Sequence, residues 1–254
     1  MAIDISKMRN KLDTLKGGGK QQNAKFWSPQ EGVQTIRILP TPDGDPFKSY
    51  FFHYGFGKES ILCPKGNFGE PCPICDFVSK LYNDKDEESR ELASKMVKKQ
   101  RFFSPVLIRN DEKDGPKVWG YSKTTYQFLI ETVLNPEYGD VTDLDEGVDI
   151  DLEYGKKAGG KKYPETKLTL KRRSSPMCKD MDPESCKDIL ARIPDFDKLH
   201  KRRPIEEIKL MLEQFLNSGD NADSGDDSEG VTKFDNSSKD ELSSVDAALK
   251  SLRD

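Results

Sequence analysis

The residues with the clearest chemistry are His53, Cys63, Cys72 and Cys75, which run as His53-x9-Cys63-x8-Cys72-x2-Cys75. Residues 53–75 thus hold three of the five Cys and one of the two His. Zn²⁺ in structural sites takes four N/S ligands tetrahedrally, and Cys72-Pro73-Ile74-Cys75 offers two thiolates at knuckle spacing. The intervening Pro64–Pro71 stretch is flexible enough to fold back around an ion. Four protein ligands leave no open position for water, so the expected role is structural rather than catalytic. A lone Cys is commonly a small buried hydrophobe, and a CxxC pair can be redox-active; it is the clustering that favours metal. Cys178 and Cys186 lack knuckle spacing and read as core or surface thiols. His200 reads as part of the basic patch Lys201-Arg202-Arg203.

A second chemistry comes from aromatic residues among bases. Seventeen of the 23 Phe, Trp and Tyr lie between Phe26 and Phe128. Lys98-Lys99-Gln100-Arg101-Phe102-Phe103 and Trp119-Gly120-Tyr121-Ser122-Lys123 join rings to cations. Single-stranded nucleic acid presents unpaired bases for stacking and phosphates for neutralisation. Most aromatics fill cores, however, and more than half are expected to do so here. In a strand only alternate residues share a face, so Phe102 and Phe103 point to opposite sides. Lys156-Lys157, Lys161-Lys162, Lys171-Arg172-Arg173 and Lys201-Arg202-Arg203 are further basic clusters whose convergence a sequence does not reveal.

The elements that must position these groups are mostly strands. Val33–Leu39 alternates and stops at Pro40, before the turn Thr41-Pro42-Asp43-Gly44. Phe47–Tyr54 is extended and aromatic. Phe102–Arg109 and Lys117–Ser122 read as a hairpin, and Val148–Tyr154 and Lys167–Arg173 as another strand pair. Helices are expected at Asp76–Asn83, Tyr126–Leu134, Pro183–Arg192 and Pro204–Leu216. This is an α+β chain, mainly β, suited to a small barrel with peripheral helices.

The ends differ from the body. Residues 1–20 form a basic arm in which Ile5, Met8, Leu12 and Leu15 keep helical spacing up to Gly17-Gly18-Gly19. Residues 218–254 contain ten acidic and four basic side chains, while residues 1–217 carry 37 basic and 35 acidic. That acidic tail reads as a disordered tether ending in an amphipathic docking segment, Glu241–Asp254. The body between, 21–217, is the expected core, with a zinc subdomain at about 50–80. No apolar run approaches the ~18 residues of a membrane span. No h-region marks a signal peptide, so a reduced, intracellular chain without disulfides is expected.

Taken in order, Ile36-Arg37-Ile38-Leu39-Pro40, His53-x-Gly55-Phe56, Cys63, Cys72-Pro73-Ile74-Cys75, the basic–aromatic strand Lys98–Ile108 and the acidic tail form a pattern. It resembles the single-stranded DNA-binding, helix-destabilising proteins of T-even-type tailed bacteriophages. The resemblance implies an OB-fold core with an inserted zinc subdomain, a non-enzymatic protein, and work in phage DNA replication, recombination and repair within the bacterial host cytoplasm. It implies zinc on His53, Cys63, Cys72 and Cys75, and DNA contacts near Lys98, Lys99, Arg101, Phe102, Phe103, Tyr82 and Tyr121. Trp119, Lys171, Arg172 and Arg173 join these as candidates from composition. The resemblance also implies self-association through the arm and recruitment of replication and recombination proteins through the tail. The arm departs from the family in lacking three basic residues followed by two Ser/Thr; that string stands instead at Lys171–Ser175. A zinc-dependent nuclease and a sequence-specific zinc-finger regulator are the rival readings. The first wants acidic residues and His around an open metal site, and the second a recognition helix; neither pattern is evident.

Overall fold

Strand parity organises this chain, because the ten-residue strand Lys99–Ile108 serves two hydrophobic clusters on opposite faces. The computed structural model describes residues 25–57, 59–84, 86–155, 164–178 and 181–217. The basic arm, the acidic tail and the clusters Lys156-Lys157 and Lys161-Lys162 lie outside them. The strands are β1 (Phe26–Trp27), β2 (Gly32–Ile38), β3 (Lys48–His53), β4 (Ile61–Leu62), β5 (Lys99–Ile108), β6 (Lys117–Tyr121), β7 (Val148–Gly155) and β8 (Glu165–Ser174). The helices are α1 (Pro64–Phe68), α2 (Pro73–Asn83), α3 (Glu87–Met96), α4 (Lys123–Leu134), α5 (Pro183–Ala191) and α6 (Ile205–Asn217).

The ladders follow the order β1-β6-β5-β2-β7-β8, and β3 adds to β5 and carries β4. The first half of β5 pairs with β3 and its second half with β2, both antiparallel. The expected hairpin β5–β6 and the pair β7–β8 are present. Asn110, the one described non-glycine residue with positive φ (72°), turns the chain out of β5, a conformation Asn tolerates better than most. The fold is mixed α+β and mainly sheet. It departs from the barrel expectation in one respect: among the described residues the strands form an open path, with no pairing that closes β8 onto β1. No helix there is long and apolar enough to cross a membrane.

One face of the sheet packs under α4. Ile36, Ile38, Phe102, Val106, Trp119, Tyr121, Leu129 and Ile150 form its buried cluster. Phe102 stacks on Tyr126 of α4 with ring centroids 4.2 Å apart. A second cluster lies between α2, α3 and α6, where Ile74, Phe77, Leu81, Ala93, Met96, Ile208 and Leu212 surround Cys63 and Cys72. Its helices are locally encoded. Pro64 and Pro73 open α1 and α2, positions where the missing N–H costs nothing. Asp86 caps α3 by accepting from the Ser89 amide at 3.0 Å. The helix α3, absent from the sequence expectation, shows only a narrow apolar stripe, Leu92-Ala93 and Met96, among charged residues.

The other structural centre is ionic. Arg37 is fully buried, and its Nε donates to Asp149 Oδ1 at 2.7 Å. Arg109 donates to both oxygens of Asp149, at 3.0 and 2.9 Å, and the Ser175 hydroxyl donates to Oδ2 at 2.9 Å. The guanidinium of Arg37 also reaches the Asp143 and Ser175 carbonyls, and that of Arg109 the Pro176 and Met177 carbonyls. Segment 175–177 is thereby tied to β2, β5 and β7. Beyond it, Cys178 and Cys186 form a disulfide with Cα atoms 5.7 Å apart. This corrects the expectation of free thiols: the turn into α5 brings residues 178 and 186 within bonding distance.

Candidate metal centre and nucleic-acid interface

The strand-to-helix connections of one lobe converge on a single point. His53 ends β3, Cys63 caps α1, Cys72 caps α2, and Cys75 lies in the first turn of α2. Their four ligand atoms all lie within 4.8 Å of one another. Nε2 of His53 is 3.5 Å from the sulfurs of both Cys72 and Cys75, and the Cys63 and Cys75 sulfurs are 3.5 Å apart. A tetrahedron with metal–ligand bonds of about 2.0–2.3 Å has edges of about 3.3–3.8 Å, so the donors fit one ion. His53, Cys63 and Cys72 are fully buried. The Nδ1–H of His53 donates to the Met96 carbonyl at 2.9 Å. That orients the ring so that Nε2 faces the sulfurs.

Backbone approach is close here as well. The Gly66 amide donates to the Cys63 sulfur at 3.3 Å, and a Cβ on Gly66 would stand 2.7 Å from Phe51 Cβ. Hydrogen bonds from Cys72 and Cys75 hold the Cys63 thiol far below its ordinary range, while facing Cys63 and Cys72 pushes Cys75 up. Burial pulls His53 down, but the Cys63 and Cys72 sulfurs and the Met96 carbonyl outweigh it and raise the imidazole to about 9. A set this hungry for positive charge suits a dication. The four side chains would fill every position of a tetrahedral ion, which is the arrangement of a structural site.

The second candidate surface is the face of the sheet turned away from α4. Pairing sets Phe52 opposite Lys99, Tyr50 opposite Arg101, and Lys48 opposite Phe103. Alternation puts all six on one face, so rings and cations form a checkerboard. Phe26 of β1 joins them, 57% exposed and edge-on to Phe103. Gly120 lies opposite Phe103, and a Cβ there would come 3.2 Å from its ring. The Arg101 guanidinium lies 5.8 Å from the Tyr54 ring centroid. Lys99 and Arg101 make no ion pair with a described residue, whereas Lys48 is paired to Asp43 and Asp45.

The candidates from sequence therefore separate. Lys99, Arg101 and Phe103 share the checkerboard face. Lys98 lies 5.0 Å from the Phe51 ring, toward the metal lobe. Phe102, Trp119 and Tyr121 lie on the face under α4, 3%, 1% and 6% exposed, and Phe52 and Phe103 on the checkerboard face are likewise buried, 3% and 8% exposed, beneath Phe196 and Leu199. Strand parity sends Phe102, Trp119 and Tyr121 to the α4 side, and the Tyr121 hydroxyl is taken up by Ser104 at 2.7 Å. Tyr82 is 44% exposed on α2, away from the checkerboard strands. Lys171, Arg172 and Arg173 lie on β8, separated from β5 by β7 and β2. There they line a shallow recess with Asp149, Ser174 and Ser175, and Lys171 pairs with Asp151 at 2.5 Å.

Tyr50, Phe52, Tyr54 and Phe26 are not among the contact residues expected from the sequence. The signal was present: Lys48-Ser-Tyr-Phe-Phe-His alternates in the same period-two pattern as Lys99-Gln-Arg-Phe-Phe. His200 is likewise corrected, since its ring sits among Phe26, Tyr50, Phe52 and Phe103 rather than in a basic patch. The bases beside it serve the metal lobe: Arg202 pairs with Glu70 at 2.5 Å and Arg203 with Glu59 at 2.6 Å.

A family model described as gp32 DNA binding protein like matches residues 30–217. A search of the curated proteins finds no match.

Proposed function

The chain belongs to the gp32-like DNA-binding family, and on that premise we propose that it is a sequence-tolerant single-stranded DNA-binding protein, without enzymatic activity, that coats strands during phage DNA replication, recombination and repair. The observation that carries this reading is the checkerboard on β3 and β5. Tyr50, Phe52 and Phe103 alternate with Lys99 and Arg101 on one face, with Phe52 and Phe103 covered in the DNA-free protein by Phe196, Leu199 and His200. A stacking platform interleaved with cations suits an unpaired strand, because every base has a π-face and every nucleotide a phosphate. A duplex hides its bases and gains nothing from the rings.

In this reading Lys99 and Arg101 meet phosphates, and Phe102, Trp119 and Tyr121 support the sheet from behind. The ion on His53, Cys63, Cys72 and Cys75 is Zn²⁺. It supplies folding free energy and, with no coordination position open to substrate, no reaction. The strand set β2, β3, β5, β6 and β7 is the material of an OB-type core. The basic arm, residues 1–20, provides self-association along the strand. The acidic tail, residues 218–254, recruits replication and recombination proteins.

The test is anisotropy of labelled oligo-dT and of a matched duplex, titrated with full-length protein at moderate salt. Preference for the single strand, weakened in Lys99→Ala and Arg101→Ala by similar factors for all oligonucleotide sequences, is the expected result. Equal affinity for duplex and single strand would overturn the reading.

A further inference from the structure

The checkerboard face is partly covered by the protein itself. Residues 192–204 connect α5 to α6 and cross this face with no regular structure beyond one short turn, Phe196–Lys198. The Tyr50 hydroxyl donates to the Phe196 carbonyl at 3.2 Å, and Phe196 and Leu199 pack on Phe52, Phe103 and Val118. From this strap the ring of His200 enters an aromatic recess. Its centroid is 4.8 Å from Phe52, 5.1 Å from Phe103, 5.2 Å from Tyr50 and 6.1 Å from Phe26.

Three features make this occupant unusual. The Nε2 atom of His200 is buried and has no hydrogen-bond partner among the described residues, an arrangement that natural cores avoid because it costs about 1–3 kcal/mol. Burial lowers the imidazole to about 4, so the ring is neutral at neutral pH. The recess is flanked on the same face by Lys99 and Arg101, which no described acid neutralises. A neutral, planar nitrogen heterocycle thus lies between aromatic rings, beside cations suited to phosphate. An unpaired nucleobase has the same shape and chemistry, and its phosphate would meet those cations.

We propose that the recess formed by Phe26, Tyr50, Phe52 and Phe103 is a subsite for one unpaired nucleobase, that His200 fills it in the DNA-free protein, and that an incoming strand displaces the ring together with its strap. This rests on the single-strand reading given above and adds a specific subsite to it. A site closed by its own plug binds with its intrinsic affinity reduced by the fraction of time it stands open. The strap therefore sets the apparent affinity, and His200 is its stop.

The chain has only two histidines, which gives a direct readout on the full-length protein. In protein labelled with ¹³C at the histidine ε1 position, His53 is the internal reference and His200 reports the recess. In the free protein the His200 ε1 proton should be displaced by the ring currents of its aromatic neighbours. On saturation with oligo-dT it should move toward the position of an exposed histidine, while His53 stays. Anisotropy of the same sample establishes that DNA is bound. Bound DNA with an unmoved His200 resonance overturns this inference and leaves the single-strand reading standing; an absence of binding overturns both. Two variants supply an independent check. His200→Ala unplugs the recess and should tighten oligo-dT binding about threefold or more. His200→Phe is a plug without the unmet nitrogen and should weaken binding by a similar factor. If His200→Ala weakens binding, or His200→Phe leaves it unchanged, the ring is not a competitor for the base.

Discussion

Replacing Asp149 by Asn tests the ionic centre that ties segment 175–177 to three strands. Asp149 accepts four hydrogen bonds, one from Arg37, two from Arg109 and one from Ser175. The side chains of Arg37, Arg109 and Asp149 are 0%, 11% and 12% exposed. The amide keeps the shape but removes the negative charge and turns an N–H₂ toward two guanidinium groups. Breaking one partner of a buried pair costs about 3–5 kcal/mol, because the remaining charge is left uncompensated. At about 2–4 °C per kcal/mol for a chain of this size, the melting temperature should fall by about 6–20 °C. Burial pushes the Asp149 carboxyl up, but hydrogen bonds from Arg109 and Arg37 outweigh it and hold it below the usual range. A depressed native pKa contributes stability that is complete above the unfolded value, about 3.9, and is lost as pH falls through the native one. The gap between wild type and Asp149→Asn should therefore be constant from neutral pH down to about 5 and narrow below about 4. Thermal melts by circular dichroism at a series of pH values measure both. A melt within about 1 kcal/mol of wild type at neutral pH would show that the network is not a stabilising centre.

Further outcomes concern the metal, the cations and the termini. The purified protein should carry about one zinc per chain by elemental analysis. Chelation or Cys72→Ser should lower the melting temperature and open the segment around α1 and α2 to protease, because structural metal contributes folding free energy. Lys99→Ala and Arg101→Ala should each flatten the log–log salt slope of oligo-dT binding by about 0.7, which is a difference of about 2.6-fold between 50 and 200 mM salt. Tyr50→Ala should weaken binding with that slope intact, since a stacked ring releases no counterions. Deleting residues 218–254 removes a net charge of −6. It should tighten oligo-dT binding most at low salt, where a tethered acidic segment competes best with phosphate. Deleting residues 1–20 should remove cooperativity on long strands and leave short-oligonucleotide affinity nearly unchanged.

What was legible in the sequence was whatever depends on near neighbours. The metal ligands could be named because an ion needs specific atoms, and those atoms fall within residues 53–75. The long strands could be placed because β2, β5 and β7 each keep their apolar residues in runs bounded by turn chemistry. The two-residue strands β1 and β4 are too short to have a period, and α3 shows too little apolar surface to stand out from its charges. Long-range partnerships left no local trace. Arg37 and Asp149 are 112 residues apart in the chain, and His200 meets Phe52 only once α5 and α6 have placed the strap. The resemblance marked Phe102 and Tyr121 as binding candidates and composition added Trp119, and parity separates Phe102 from Phe103 without telling which face is which. The pairing register turns Phe102, Trp119 and Tyr121 toward α4 and puts Tyr50, Phe52 and Phe103 together on the other face.

The same parity connects the metal to the interface. His53 and Phe52 are consecutive in β3 and so point to opposite sides. Behind the sheet His53 is held by the sulfur cluster and by the Met96 carbonyl. In front, Phe52 and Tyr50 form part of the aromatic recess. Cys63 follows β4 directly, and β4 pairs only with the end of β3, Phe52 with Leu62 and His53 with Ile61. A two-residue ladder has little strength of its own, so an ion joining His53 to Cys63 would reinforce the β3–β5 ladder in holding the end of β3 in register. Such an ion would have a functional reach, because Tyr50 and Phe52 pair directly with Arg101 and Lys99, so rings and cations depend on the same β3–β5 ladder. Loss of metal should thus weaken oligo-dT binding through both stacking and phosphate contact, with the salt slope flattened. An unchanged slope on chelation would instead mean that the β3–β5 ladder keeps its register without the metal.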